Sequence, residues 1–303
     1  MLPALAQSGL DRANTLYEAG RFREAIAAYK TALGRGENAA LAYFNMGNAC
    51  FQLDSLARAI VYYRACINQA PGFFRGRLNL AVAYYAVNET GRCIAAARKA
   101  IELEPDNVRA RMILAQSYRR AGGLSEAAAL FERIVERDPG QHSAVIALGE
   151  IYRELDDPVT AIAWLRRYPA DGGLYAHALL LRAELHEHRG ELAQAIHALR
   201  LARRQQPDKR WIVYRLTALY NSLGSQHVAL ETAMSGLRAF PDFAELALLA
   251  ANIAFEREEY DRAGRLYSRA QAHGSAEAVV GLENIRLIRQ DQVREHIAAQ
   301  GEN

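Results

Sequence analysis

Small residues recur at two fixed phases of a 34-residue period, and that recurrence restricts the chain to one kind of architecture. Cutting from Ala6 gives eight contiguous segments: residues 6–39, 40–73, 74–107, 108–141, 142–175, 176–209, 210–243 and 244–277. Their eighth positions are Ala13, Gly47, Ala81, Ala115, Gly149, Ala183, Thr217 and Ala251. Their twentieth positions are Ala25, Ala59, Cys93, Ala127, Ala161, Ala195, Ala229 and Ala263. Two helix backbones approach closely only where side chains are short, so two small columns twelve residues apart predict a helical hairpin pinched at one level. Larger residues fill the space around the pinch, among them Tyr84, Tyr118, Tyr152 and Tyr220 at the eleventh position and Tyr29, Tyr63, Phe131 and Tyr267 at the twenty-fourth.

Punctuation keeps the same phase. The fifteenth position reads Gly20, Asp54, Asn88, Gly122, Asp156, Gly190, Gly224 and Glu258. All but the last tolerate the left-handed conformation that ends a helix. The thirty-second position carries Pro71, Pro105, Pro139, Pro207 and Pro241, and proline there closes the second helix of a unit. The fifth unit departs most. Asp156-Asp157-Pro158 starts a helix well, with an Asp cap and a proline in the first turn. Tyr168-Pro169-Ala170-Asp171-Gly172-Gly173 then ends it early. That break predicts a shortened helix, with Pro169, Gly172 and Gly173 open to a second reading as a hinge.

Composition excludes several alternatives. Lys and Arg number 37 against 34 Asp and Glu, a net +3, and this near-balance argues against a dedicated nucleic-acid binder. With 8 prolines and 21 glycines and no Ser/Gly/Pro-rich stretch, no linker divides the chain. Cys50, Cys66 and Cys93 fall on packing positions and form no C-x-x-C pair, so they read as small buried residues. No apolar run reaches the ~18–20 residues that span a bilayer. No phosphate-binding glycine loop or nucleophile elbow appears, and no strand is available to hold one. The expectation is a protein without enzymatic activity, metal or cofactor.

The 34-residue helix–turn–helix with these small, aromatic and proline positions resembles the tetratricopeptide repeat family over residues 6–277. The resemblance implies an all-α, right-handed superhelical solenoid of eight repeats whose first helices line a concave groove. Residues 278–303 then form a capping helix and tail, with Val279, Val280, Ile285, Ile288, Val293 and Ile297 as its apolar stripe. The stretch from Tyr43 to Gln52, with Ala59-Ile60-Val61-Tyr62-Tyr63-Arg64-Ala65, is also similar to bacterial envelope-associated proteins of the aerotolerance-operon type.

In that family ligands lie along the groove, which here presents Asn14, Asn45, Asn48, Arg75, Asn79, Arg109, Gln116, Arg119 and Arg120 in the first four repeats. An asparagine amide donates and accepts, and so can pair with any peptide backbone. Arginine adds a fork for a carboxylate. Against the family's carboxylate clamp, Asn14, Asn45 and Arg75 match in kind, whereas Leu10 and Asn79 stand where a lysine and an arginine belong. Against its asparagine ladder, Asn45 and Asn79 supply two rungs. Further along, Glu150, Glu154, Glu184, Glu187, Glu245 and Glu256 turn the face acidic, with Arg153 and His177 among them. Glu184-Leu185-His186-Glu187-His188 lacks the spacing of a zinc site, and His186 sits on a packing position.

The expected function is a protein–protein scaffold within a bacterial assembly, holding an extended peptide or helix in the groove. Self-association through convex faces or termini is the alternative, and nucleic-acid binding is the weakest reading. Met1-Leu2-Pro3-Ala4-Leu5-Ala6 is too short for a signal peptide, but Ala4-x-Ala6 has the spacing of a cleavage site. The chain is thus cytoplasmic as written, or exported if those residues are a remnant.

Overall fold

The computed structural model describes the backbone of residues 8–301 and the side chains of residues 8–294. The cleavage-like Met1-Ala6 segment and the Ile297 side chain lie outside the described residues. Among the described residues there are seventeen α-helices and no strand, in two compact units, Met1–Asp156 and Asp157–Asn303.

The first unit holds α1 (Gly9–Glu18), α2 (Phe22–Gly34), α3 (Ala39–Gln52), α4 (Leu56–Gln69), α5 (Phe74–Ala86), α6 (Thr90–Leu103), α7 (Val108–Arg120), α8 (Leu124–Arg137) and α9 (His142–Glu154). Each helix packs on the next, and the first helices of successive repeats from α1 to α7 also touch side by side. The second unit holds α10 (Pro158–Arg166), α11 (Tyr175–His188), α12 (Leu192–Gln205), α13 (Arg210–Ser222), α14 (Gln226–Ala239), α15 (Ala244–Glu256), α16 (Tyr260–Ala272) and α17 (Ala278–Gly301).

The pinch drawn from the sequence is the core. All sixteen residues of the two small columns are buried. Where the column carries glycine, a ring takes the space: a Cβ on Gly47 would lie 2.5 Å from the fully buried Tyr63 ring. Such close backbone approach is what a repeat needs, because one hairpin alone cannot cover its own apolar face.

All eight hairpin turns use a left-handed residue at the fifteenth position, from Gly20 at φ 73° through Asp54, Asn88 and Asp156 to Glu258 at φ 61°. Glu258 adopts it too, although it is the one residue of this column that does not readily tolerate it. The packing of α15 on α16 imposes it on a residue that disfavours it. An L-residue in this conformation costs roughly 1–2 kcal/mol, while a new glycine loosens the unfolded chain by about 0.4–1 kcal/mol. Glu258→Gly should therefore raise stability by about 1 kcal/mol, read as a higher urea midpoint at unchanged slope.

In the fifth repeat, α10 is nine residues long against thirteen for α9. Asp157 caps it by accepting from the Thr160 N–H at 3.0 Å. The loop that follows folds around buried Tyr168, whose hydroxyl accepts from the Leu174 N–H at 2.9 Å. A Cβ on Gly172 would meet the same ring at 2.5 Å, so only glycine fits. Pro169, Gly172 and Gly173 thus belong to a pinned loop inside the second unit, and the division between units comes earlier, between Asp156 and Asp157.

The stripe that docks α17 also differs from the expected one. Ala278 and Ile285 are buried, Leu282 packs beside them and Gly281 presses on the Tyr267 ring. Val279, Val280 and Val293 are exposed and Ile288 is half-buried. Residues 278, 281, 282 and 285 share one helix face, whereas Val279 and Val280 lie one and two steps of about 100° round from Ala278.

Candidate functional site

The first helices of repeats one to three carry four asparagines, tied into two identical arrangements. Tyr29 Oη donates to Asn14 Oδ1 at 2.7 Å, and Asn45 Nδ2 donates to the same oxygen at 3.0 Å. One repeat later, Tyr63 Oη donates to Asn48 Oδ1 at 2.9 Å and Asn79 Nδ2 donates to it at 2.8 Å. Each arrangement joins a first helix, its own second helix and the first helix of the next repeat. Burial pushes the Tyr29 hydroxyl up to about 12 and raises that of Tyr63 as well, so both stay neutral donors at physiological pH.

These bonds engage one end of each amide. Among the described residues, the Asn14 and Asn48 oxygens each accept twice and their Nδ2 groups are uncommitted, while Asn45 and Asn79 donate from Nδ2 and keep Oδ1 open. Along this face, free donors and free acceptors therefore alternate, as the backbone of an extended peptide requires. A recess of about 270 Å³ lies at the second arrangement, lined by Asn48, Asn79, Tyr63, Phe51, Gln52 and Arg109.

The tyrosines are the part that groove-position reasoning missed. Their signal was present, since asparagine at the ninth position coincides with tyrosine at the twenty-fourth in repeats one, two and eight. In the eighth, Tyr267 Oη donates to Asn252 Oδ1 at 2.7 Å.

The arginines divide into two classes. Arg75 and Arg109 are exposed and make no hydrogen bond or ion pair among the described residues. Arg119 is committed: its guanidinium reaches Glu150 at 2.6 Å and Glu154 at 2.5 Å. Partial burial works against its charge, but the two carboxylates outweigh that and its pKa is raised. Arg120 stacks 3.6 Å from the Tyr85 ring centroid and donates to the Tyr85 carbonyl and Asn88 Oδ1, fastening the turn of repeat three. Gln116 is exposed beside Arg119 and lines a second recess of about 430 Å³ with Met112 and Ala147.

Much of the acidic set is internally matched as well. Glu150 and Glu154 hold Arg119, Glu187 pairs with Arg215 at 2.5 Å, and Glu256 accepts from Gln226 at 2.9 Å. His186 is buried, with Nδ1 2.6 Å from Glu191 Oε2. That hydrogen bond, helped by Arg189, lowers the pKa of Glu191. The three cysteines are buried and unpaired, and burial pushes the Cys66 thiol up to about 11, far from the thiolate a nucleophile needs. Among the described residues no helix is long and apolar enough to cross a membrane.

Comparison with known proteins follows the same outline. The tetratricopeptide repeat family model matches residues 10–72, 78–142 and 114–175, together more than half of the chain. The C-terminal part of a TPR repeat-containing protein from Cytophaga hutchinsonii superposes with a TM-score of 0.67 at 13% identity, covering 79% of this chain and 99% of that one. A tetratricopeptide repeat protein from Parabacteroides merdae gives 0.54 at 15% identity, covering 82% and 99%. YrrB, described as a TPR protein with an unusual peptide-binding site, gives 0.54 at 16% identity, covering 62% and 97%. At these identities the likeness is one of fold. No curated protein sequence matches the chain.

Proposed function

Because the chain belongs to the tetratricopeptide repeat family, whose members are generally non-enzymatic scaffolds for protein contact, we propose that it holds an extended peptide of a partner protein on the asparagine-bearing face of repeats one to four. The observation that carries this reading is the pair of Asn–Tyr–Asn arrangements, repeated at one period with one end of every amide left uncommitted. Backbone pairing by Asn14, Asn45, Asn48 and Asn79 would supply affinity without regard to sequence. Arg75 and Arg109, the two arginines of this face with side chains still uncommitted, would select an acidic side chain or a C-terminal carboxylate. Arg119 would act at one remove, its guanidinium already held by Glu150 and Glu154, with Gln116 the nearer contact. A bacterial assembly is the setting in which we read this scaffold.

Capture from lysate of the source organism tests the reading, with Arg75→Ala/Arg109→Ala run beside the wild type. Both side chains are exposed, so the fold should persist. Loss of two charge-assisted contacts should weaken the partner's binding by at least about 100-fold, taking 1.5 kcal/mol or more for each hydrogen bond to a charged group. A partner retained equally by both proteins would move the interface elsewhere and sink the proposal.

One observation favours self-association as a second reading. In α17, Arg289 pairs with Asp261 at the start of α16, so the helix continues to Gly301 past the end of the helix it packs on. Light scattering across a concentration series separates the two: growth in mass with concentration supports contact between copies, and a constant monomer mass supports a foreign ligand.

A further inference from the structure

In the second unit, a cleft of about 700 Å³ runs between α12 and α14, with α13 beneath it. Its walls differ in kind. The α12 wall carries Arg200, Arg203 and Arg204, spaced so that all three rise along one side of the helix. The opposite wall carries Val228, Thr232, Ala239 and Phe240, and Tyr220 lies on the floor. Val228 is 40% exposed. Among the described residues, no acidic side chain lines the cleft.

Several other arginines of this unit are compensated. Arg189, Arg215 and Arg257 each rest on a carboxylate within 2.7 Å. Arg200 and Arg204 are exposed and make no hydrogen bond or ion pair among the described residues. Arg203 has only a long contact of 3.5 Å to Ser235 Oγ. Like charges three and four residues apart on a helix repel one another. The negative end of the helix dipole accommodates Arg203 and Arg204 in the last turn of α12, but it fades before Arg200.

We propose that this cleft docks an acidic amphipathic segment of a partner protein, its carboxylates set against the arginines of α12 and its apolar side chains against Val228, Ala239 and Phe240. Arginine forks suit carboxylates at helical spacing, and forming those pairs relieves the repulsion along α12. The aliphatic wall is what distinguishes this occupant from a nucleic acid, whose phosphates would satisfy the arginines but leave Val228 and Ala239 with nothing to cover them. The near-balanced net charge of +3 points the same way. The cleft is built of residues of the second unit alone, whereas the asparagine face belongs to the first.

The test is fluorescence anisotropy of the full chain with a short labelled helical peptide bearing glutamates on one face and leucines on the other. Arg200→Glu/Arg204→Glu changes only exposed side chains, and circular dichroism checks that the helices remain. The wild type should bind the peptide, and the charge-reversed variant should bind at least about tenfold more weakly. The same peptide with glutamine in place of glutamate should not bind, and Arg75→Ala/Arg109→Ala should leave the affinity unchanged. Failure of the wild type to bind, or equal binding by the charge-reversed variant, would overturn the proposal. Loss of the peptide in Arg75→Ala/Arg109→Ala would place it on the first unit instead. Displacement of the peptide by single-stranded polyuridylate, as effectively as by its own unlabelled form, would assign the cleft to nucleic acid.

Discussion

Replacing Tyr63 by alanine should remove about 3–5 kcal/mol from the stability of the first unit, the range for emptying a fully buried aromatic site. The ring is buried to 1% exposure and lies directly over Gly47 at the pinch of the second repeat. The facing Gly47 has no side chain to fill the vacated space. The substitution also takes away the hydroxyl that donates to Asn48. Tyr63→Phe separates the two effects: it keeps the ring and loses only that hydrogen bond, at about 0.5–1.5 kcal/mol. Asn48 Oδ1 would still accept from Asn79. Urea unfolding followed by circular dichroism should therefore show a large loss for the alanine and a small one for the phenylalanine. Equal losses would mean that the hydrogen bond, and not the ring, holds the pinch.

The converse substitution approaches the same contact from the other side. Gly47→Val places carbon atoms where the Tyr63 ring already stands, beginning with a Cβ 2.5 Å from Cε1 and 2.6 Å from Cδ1. A buried ring with helices on both sides cannot swing away. The cost should reach the upper part of the 1–3 kcal/mol range for overpacking, about 3 kcal/mol. The gain from replacing a helix-interior glycine with β-branched valine, roughly 0.3–0.5 kcal/mol, offsets only part of it. Because both changes act on one space, they should couple. Gly47→Val/Tyr63→Ala should be more stable than the sum of the single losses predicts, by 0.5 kcal/mol or more on the scale seen for touching residues. Strict additivity would show that the valine finds room elsewhere.

The fold was legible because a solenoid repeats its constraints. A close helix crossing demands a small residue wherever it occurs, and eight occurrences in phase turn a weak local preference into a strong pattern. Ala13 or Ala25 alone says little, whereas the two columns together located all sixteen buried crossing residues. Glu258 was not legible, because the conformation of that turn is imposed by the packing of α15 on α16 and not by the residue's own preference. The docking stripe of α17 was obscured by valines that look like core. Val279 and Val280 are apolar, but Gly281 and Leu282 face the Tyr267 side, and a glycine is invisible to a hydrophobic pattern. At the candidate site, the sequence identified which residues share a face and could not show how they pair. Arg75, Arg109, Arg119 and Arg120 are one residue type on one face. Only the positions of Glu150, Glu154 and Tyr85 separate the committed pair from the uncommitted one.

The hairpin turn also governs how a chain of this kind can change length. The turns are closed by one backbone hydrogen bond, from the residue after the left-handed position to the carbonyl five residues before it, as in Ser55 to Cys50 and Glu259 to Ala254. That closed ring has no slack, and an added or deleted residue there would rotate the following helix by about 100° and turn its small column away from the crossing. A whole 34-residue module, by contrast, leaves every crossing and every turn in phase. Such a protein can be lengthened or shortened between generations in steps of one repeat, and the surfaces it offers to partners are added or lost a hairpin at a time.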